Sequence, residues 1–247
     1  MSDVFAHRGF SGIYPENTLL AFEKAIETGC KGIELDVQLT RDGVPVILHD
    51  ETLDRTTDAT GFVKDFTLDE IKQMPIRHMI LGDASKQFVP TLREYFALVC
   101  KTNLVTNIEF KTSVFEYPGI EESVISLVRE FKLDDRVQYS SFNHFSLERC
   151  RRIEPNAYCG VLIYAWLIDA GAYAKRLNGT SINACSEYLS RAVVQEIHEN
   201  GIIAQAYTPN EPALMHWLCQ NGVDVLITNE PEMAIKICRE YECLETF

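Results

Sequence analysis

Glu34 and Asp36 lie two apart in the run Gly-Ile-Glu-Leu-Asp-Val at residues 32–37. On an extended strand that spacing puts both carboxylates on one face. Burying two carboxylates side by side in an otherwise apolar segment is costly unless a cation or an ionic partner neutralises them. A third, Glu109, stands in Asn-Ile-Glu-Phe-Lys, with Lys111 on the same face. Three hard oxygen ligands from two strands suit Mg²⁺ or Ca²⁺ better than a thiol-seeking metal. The competing reading is a structural ion-pair network in which Lys111 satisfies one carboxylate and Arg8 another.

His7 and Arg8 close a short apolar segment, Val4-Phe5-Ala6, and Gly9 follows where a close backbone approach is easiest. His49 stands beside Asp50 at the end of another apolar run. A lone histidine at either place reads as structural; two of them, each at a strand end beside the same carboxylates, read as a proton-transfer pair. Phosphodiester cleavage takes a proton from the nucleophile and gives one to the leaving oxygen, and imidazole does both near neutral pH. Arg8 offers a forked donor for phosphate oxygens, and Lys111 a point charge. In Pro15-Glu16-Asn17-Thr18, Asn17 or Thr18 caps a helix, while Glu16 either favours its N-terminus or orients Arg8 or His7. Tyr164, Trp166 and Tyr207 fall at or beyond strand ends and are candidate pocket walls.

For these groups to converge, several strands must end on one side of the molecule. Runs rich in Val, Ile and Tyr alternate with helical patterns, which argues for parallel strands joined by helices. The strands expected are Val4–Ala6, Gly32–Val37, Asn107–Lys111, Val137–Ser140, Tyr158–Ile163, Ser181–Ala184, Ile203–Tyr207 and Asp224–Thr228. The first helix presents Leu19, Phe22, Ala25 and Ile26 on one face and stops at Gly29; others are expected over 120–131, 145–153, 170–177, 191–200, 211–220 and 231–241. One stretch breaks the alternation. Asp42-Gly43 signals a tight hairpin, with Val44–Leu48 returning antiparallel to the second strand. The segment that follows contains a short helix capped by Thr67, so a rim insertion is expected over about residues 38–90.

With 247 residues, 46% of them hydrophobic, a single domain over 1–247 is expected. The 23 Lys and Arg against 36 Asp and Glu give a formal charge of −13, which disfavours nucleic acid and anionic membranes as partners. The 8 cysteines lack CxxC pairs and zinc-like spacing, so reduced thiols and a cytoplasmic location are expected. No apolar stretch before His7 is long enough for a secretory leader, and the most apolar run, Val161–Ile168, falls far short of the ~20 residues a bilayer needs, so no membrane insertion is expected. Asn178-Gly179-Thr180 is then a plain turn rather than a glycosylation site.

Taken together, these residues resemble the glycerophosphodiester phosphodiesterase family. The resemblance runs through His7-Arg8-Gly9, Pro15-Glu16-Asn17-Thr18, Glu34-Leu35-Asp36-Val37, Leu48-His49-Asp50, Leu53-Asp54-Arg55-Thr56-Thr57, Pro90-Thr91-Leu92-Arg93-Glu94 and Ile108-Glu109-Phe110-Lys111, and ends in Ile227-Thr228-Asn229 with Pro231. It implies a (β/α)8 TIM barrel with a β-hairpin and small insertion after the second strand. It also implies Glu34, Asp36 and Glu109 as ligands of a divalent cation, Mg²⁺ or Ca²⁺, His7 and His49 as the acid/base pair, and Arg8 and Lys111 as phosphate contacts. Members often carry Asp where Asn229 stands and Trp where Tyr207 stands; both departures bear on substrate choice.

The expected activity is hydrolysis of small glycerophosphodiesters to sn-glycerol 3-phosphate and an alcohol. Two rival readings are a lipid phosphodiesterase of phospholipase C or D type, which needs an exposed apolar docking surface, and a catalytically inactive phosphate-binding protein.

Overall fold

The structure, a computed structural model, describes residues 2–77 and 86–245. Part of the rim insertion and the Cys243 side chain lie outside the described residues.

The chain opens with β1 (Asp3–His7), α1 (Leu19–Thr28), β2 (Gly32–Leu39) and β3 (Pro45–Ile47). The insertion carries a short 3-10 turn at Val63–Asp65, α2 (Leu68–Ile71), β4 (Pro75–Ile76) and β5 (Gln87–Phe88). Regular alternation resumes with α3 (Leu92–Val99), β6 (Val105–Phe110), α4 (Ile120–Glu130), β7 (Val137–Ser141), α5 (His144–Ile153), β8 (Tyr158–Ile163) and α6 (Ala170–Arg176). It ends with β9 (Ser181–Cys185), α7 (Arg191–Glu199), β10 (Ile203–Tyr207), α8 (Pro212–Asn221), β11 (Val225–Thr228) and α9 (Pro231–Glu245).

Local chemistry explains the boundaries. Thr18 Oγ1 accepts the Ala21 N–H to start α1, and Gly29, at φ 76°, ends it by turning left-handed. At Thr67 and again at Thr91, threonine and a glutamate three residues on satisfy each other's backbone N–H groups, nucleating α2 and α3. β2 is buried along its whole length, as a strand covered on both faces must be.

Parallel pairing runs β1-β2-β6-β7-β8-β9-β10-β11 and returns to β1, closing a TIM barrel. β3 adds antiparallel to β2 through Val37↔Ile47 and Leu39↔Pro45. Alternation then divides each strand. Val4 and Ala6, Ile33, Leu35 and Val37, and Ile108 and Phe110 join the apolar layer beneath the helices. The intervening residues, Phe5 and His7, Glu34 and Asp36, and Asn107 and Glu109, point into the barrel. Phe5, Val225 and Ile227 form its apolar floor. A Cβ on Gly32 would approach the Phe5 ring to 2.7 Å, so glycine there lets that ring fill the barrel.

The insertion has a small core of its own, Val46, Leu48, Leu53, Val63, Ile71 and Val89. Buried Gln38 ties it to the barrel: its amide donates to the carbonyls of Leu48 at 2.8 Å and Asp50 at 2.6 Å, while its oxygen accepts from the Tyr117 hydroxyl at 2.9 Å. His49 is thus clamped on both sides. No helix among the described residues is long and apolar enough to cross a membrane.

Candidate active site

At the carboxyl ends of the strands a cavity of about 260 Å³ is lined by His7, Arg8, Glu34, His49, Asn107 and Glu109 on its polar side. Phe142, Leu162, Tyr164, Tyr207 and Ile227 form an apolar wall. In a barrel this is the end where βα loops gather functional groups.

Glu34, Asp36 and Glu109 are 4%, 1% and 9% exposed, and one carboxylate oxygen from each falls within 4.8 Å of the others. The cations around them do not balance this charge. Lys111 Nζ lies 2.8 Å from Glu109 Oε1 and 3.8 Å from Asp36 Oδ1. Arg8 Nε lies 3.3 Å from Asp36 Oδ2, but its Nη1 is spent on Glu16 at 2.9 Å. Among the described residues Glu34 accepts a hydrogen bond only from the Arg8 backbone N–H, at 3.1 Å. So the ion pairs of the structural reading exist, and they leave a carboxylate over. Burial, then the neighbouring Asp36 and Glu109 charges, push the Glu34 carboxyl well above its ordinary range. Burial also raises Glu109, with Lys111 opposing. For Asp36 burial is outweighed by Arg8 and Lys111, which hold it ionised. Its Oδ1 is nevertheless buried without a hydrogen-bond partner among the described residues. Hard oxygen donors, surplus negative charge and an orphaned carboxylate oxygen fit a divalent cation.

Each histidine is oriented through Nδ1. His7 Nδ1 lies 2.6 Å from Asn229 Oδ1, and His49 Nδ1 lies 2.6 Å from Asp50 Oδ1. With Nδ1–H donated to oxygen, Nε2 carries the free lone pair of the neutral ring. His7 Nε2 is 3.9 Å from Glu34 Oε2. Burial, reinforced by the Arg8 charge, lowers the His7 pKa to about 4. Arg8 and Gly9 turn sharply behind this ring at φ 55° and 78°. A Cβ on Gly9 would come within 2.7 Å of the Ala21 backbone, so α1 can pack this close only against glycine.

Residues 7–233 match the model of the glycerophosphoryl diester phosphodiesterase family. The chain belongs to this family. A glycerophosphodiester phosphodiesterase of Caldanaerobacter subterraneus subsp. tengcongensis is 40% identical over 96% of this chain and 98% of its own length. Another, from Bacillus altitudinis, is 38% identical over 97% and 99%. Among solved structures, an Oleispira antarctica phosphodiesterase in complex with the product sn-glycerol-3-phosphate is similar at TM-score 0.83 and 28% identity, covering 97% of each chain. As a glycerophosphodiester phosphodiesterase, the chain is a phosphoric diester hydrolase acting on glycerophosphodiesters.

The structure brings His7, His49, Arg8, Glu34, Asp36, Glu109 and Lys111 together as the sequence led one to expect. Glu16 orients Arg8. Thr18, not Asn17, caps α1; the Asn17 amide instead donates to Asp36 Oδ2 at 2.9 Å. Tyr207 and Tyr164 line the cavity, whereas Trp166 packs outside it at a tilt against Tyr188, 5.2 Å between ring centres. Asn229 is not part of the cavity wall and touches His7, so its amide bears on the histidine before it bears on substrate choice. Two participants escaped the sequence reading of roles: Asp50, which holds His49, and Arg55, which holds Asp50 at 2.7 Å. Their signal was there in the Leu48–Asp50 and Leu53–Thr57 motifs, but a motif does not show which side chain faces which.

Proposed function

We propose that this glycerophosphodiester phosphodiesterase releases sn-glycerol 3-phosphate and an alcohol using a divalent cation, Mg²⁺ or Ca²⁺, held by Glu34, Asp36 and Glu109. The observation that carries this reading is the uncompensated carboxylate in that buried trio. A cation held there would supply positive charge to nonbridging phosphate oxygens and would acidify a hydroxyl, of water or of the substrate's own glycerol. His7 is the general base: it faces a neutral amide, its ring stays uncharged, and its Nε2 is free to take a proton. His49 is the general acid, because the Asp50 carboxylate compensates the imidazolium that must donate. Arg8 and Lys111 contact the phosphate. Arg8 Nη2 makes no hydrogen bond among the described residues, and the Lys111 ammonium keeps donors beyond the one given to Glu109. One domain carries the whole site, and the described cysteines, all free, suit a cytoplasmic enzyme.

The test is turnover of glycerophosphocholine by the purified chain, with sn-glycerol 3-phosphate and choline as the products sought. Activity abolished by a chelator and restored by Mg²⁺ or Ca²⁺ supports the reading; undiminished turnover after metal removal refutes it.

One observation favours a second reading. Val114, Phe142, Phe145, Tyr164, Trp166 and Ile168 are exposed, and all lie in or beside the loops that follow β6, β7 and β8 on the catalytic rim. An apolar collar beside the cavity is the surface a lipid phosphodiesterase requires. Higher kcat/KM on micellar lipid diesters than on soluble ones would favour it.

A further inference from the structure

Arg55 comes from the rim insertion, outside the barrel, and its side chain is 48% exposed. An exposed arginine ordinarily contributes little. This one places three nitrogens on two carboxylates. Nε and Nη2 meet Asp50 Oδ2 and Oδ1 at 2.7 and 3.1 Å, and Nη1 and Nη2 meet Glu16 Oε2 and Oε1 at 2.9 and 2.7 Å. Among the described residues each carboxylate has one other side-chain partner, and each of those partners lines the cavity. Asp50 Oδ1 lies 2.6 Å from His49 Nδ1; Glu16 Oε1 accepts from Arg8 Nη1 at 2.9 Å.

The guanidinium therefore joins two arms, Arg55–Asp50–His49 and Arg55–Glu16–Arg8. Glu16 belongs to the β1–α1 loop, and Asp50 to the segment after β3. No backbone hydrogen bond joins residues 15–17 to residues 49–51 among the described contacts. Without Arg55, two carboxylates that share one guanidinium would repel each other, and each would be free to leave its working partner. A planar fork can grip both at once; a single ammonium cannot reproduce that geometry. The electrostatics agree: despite burial, Arg55 holds Asp50 down to about 2, and Arg55 and Arg8 keep Glu16 below its ordinary range.

We infer that Arg55 is a positioning residue that fixes His49 and Arg8 relative to each other through Asp50 and Glu16, so that the rim insertion sets the geometry of phosphodiester cleavage. The inference rests on the proposed roles of His49 as acid and Arg8 as phosphate contact. Nothing in the cavity itself points to it, since Arg55 touches no cavity space.

The test uses the full chain with saturating metal and two substrates: glycerophosphocholine, whose alkoxide needs a proton on departure, and glycerol 3-(4-nitrophenyl phosphate), whose leaving group does not. Arg55→Met should lower kcat on the choline diester by about 10–100-fold, the usual cost of losing an orienting partner, and raise KM on both substrates through Arg8. On the nitrophenyl diester kcat should fall less than about threefold, because a displaced acid matters little there. Arg55→Lys, which retains one ion pair, should recover part of the loss. The Tm of both variants should stay close to that of the parent chain.

His49→Ala is the reference. If it shows the leaving-group dependence and Arg55→Met does not, losing activity equally on both substrates or not at all, the inference is wrong while the acid assignment stands. If His49→Ala shows no such dependence, the acid assignment is wrong and the inference falls with it.

Discussion

Asn229 Oδ1 stands 2.6 Å from Nδ1 of His7, so the other nitrogen of that ring is the one turned toward the carboxylates. The partner is a neutral amide rather than a carboxylate. A neutral partner orients the ring without encouraging it to hold a second proton, and the first prediction tests that difference.

In the metal-free protein His7 should stay neutral down to about pH 4, followed through its imidazole NMR shifts. Burial is the main cause, so the sign for stability follows. Between the ordinary 6.5 and about 4 the unfolded chain takes up a proton that the native ring refuses, and stability falls as pH drops through that window. Asn229→Asp puts a negative charge against the ring and should raise the His7 pKa while leaving metal affinity within severalfold. An unchanged titration in this variant would show that the amide does not face the ring.

Removing either histidine should lower kcat by about 10²–10⁴ with little effect on metal affinity. Because the pair acts as a unit, His7→Ala/His49→Ala should be much less impaired than the product of the two single losses. A nitrophenyl leaving group should rescue His49→Ala and do little for His7→Ala. Rescue of the opposite variant would reverse the assignment of base and acid.

Glu34→Gln, Asp36→Asn and Glu109→Gln should each weaken Mg²⁺ or Ca²⁺ binding, measured calorimetrically, by tenfold or more as an order of magnitude. Metal uptake should also release protons, since the raised Glu34 carboxyl must ionise to bind. In the metal-free chain that raised pKa means stability is lost as pH climbs above the ordinary 4.5, because the unfolded chain gives up its proton first. Saturating metal should abolish that loss. Proton-neutral binding with intact affinity in all three variants would place the cation elsewhere.

Gly9→Ala should destabilise the protein by about 2 kcal/mol or more, since the added Cβ meets both the left-handed backbone and the Ala21 main chain. Gly29→Ala is the control. It has a similar φ of 76° but no atom within 4 Å of the added Cβ, so its urea midpoint should move less. Equal shifts would mean that backbone conformation alone sets the cost.

The strands and helices of the barrel were legible because burial imposes period 2 on one and period 3.6 on the other, and glycine or threonine marks the ends. α3 was not anticipated, although Thr91 and Glu94 spell the reciprocal cap that starts it. Its eight residues follow directly on an irregular insertion, where periodicity has no room to establish itself. The carboxylates and histidines were legible from type and strand position. The contacts of Asn17 with Asp36, Asn229 with His7 and Arg55 with Glu16 were not: each joins side chains from separate segments, and only the tertiary fold sets their distances.

Closure of the barrel also sets a timetable. β1 is held on one side by β2 and on the other by β11, and His7 meets its amide partner 222 positions away along the chain. A ribosome must therefore translate through Asn229 before the His7 ring meets the amide that orients it. Until then β1 has one free edge and the carboxylates lie in an open sheet, so the nascent chain carries the ingredients of a hydrolase without being one.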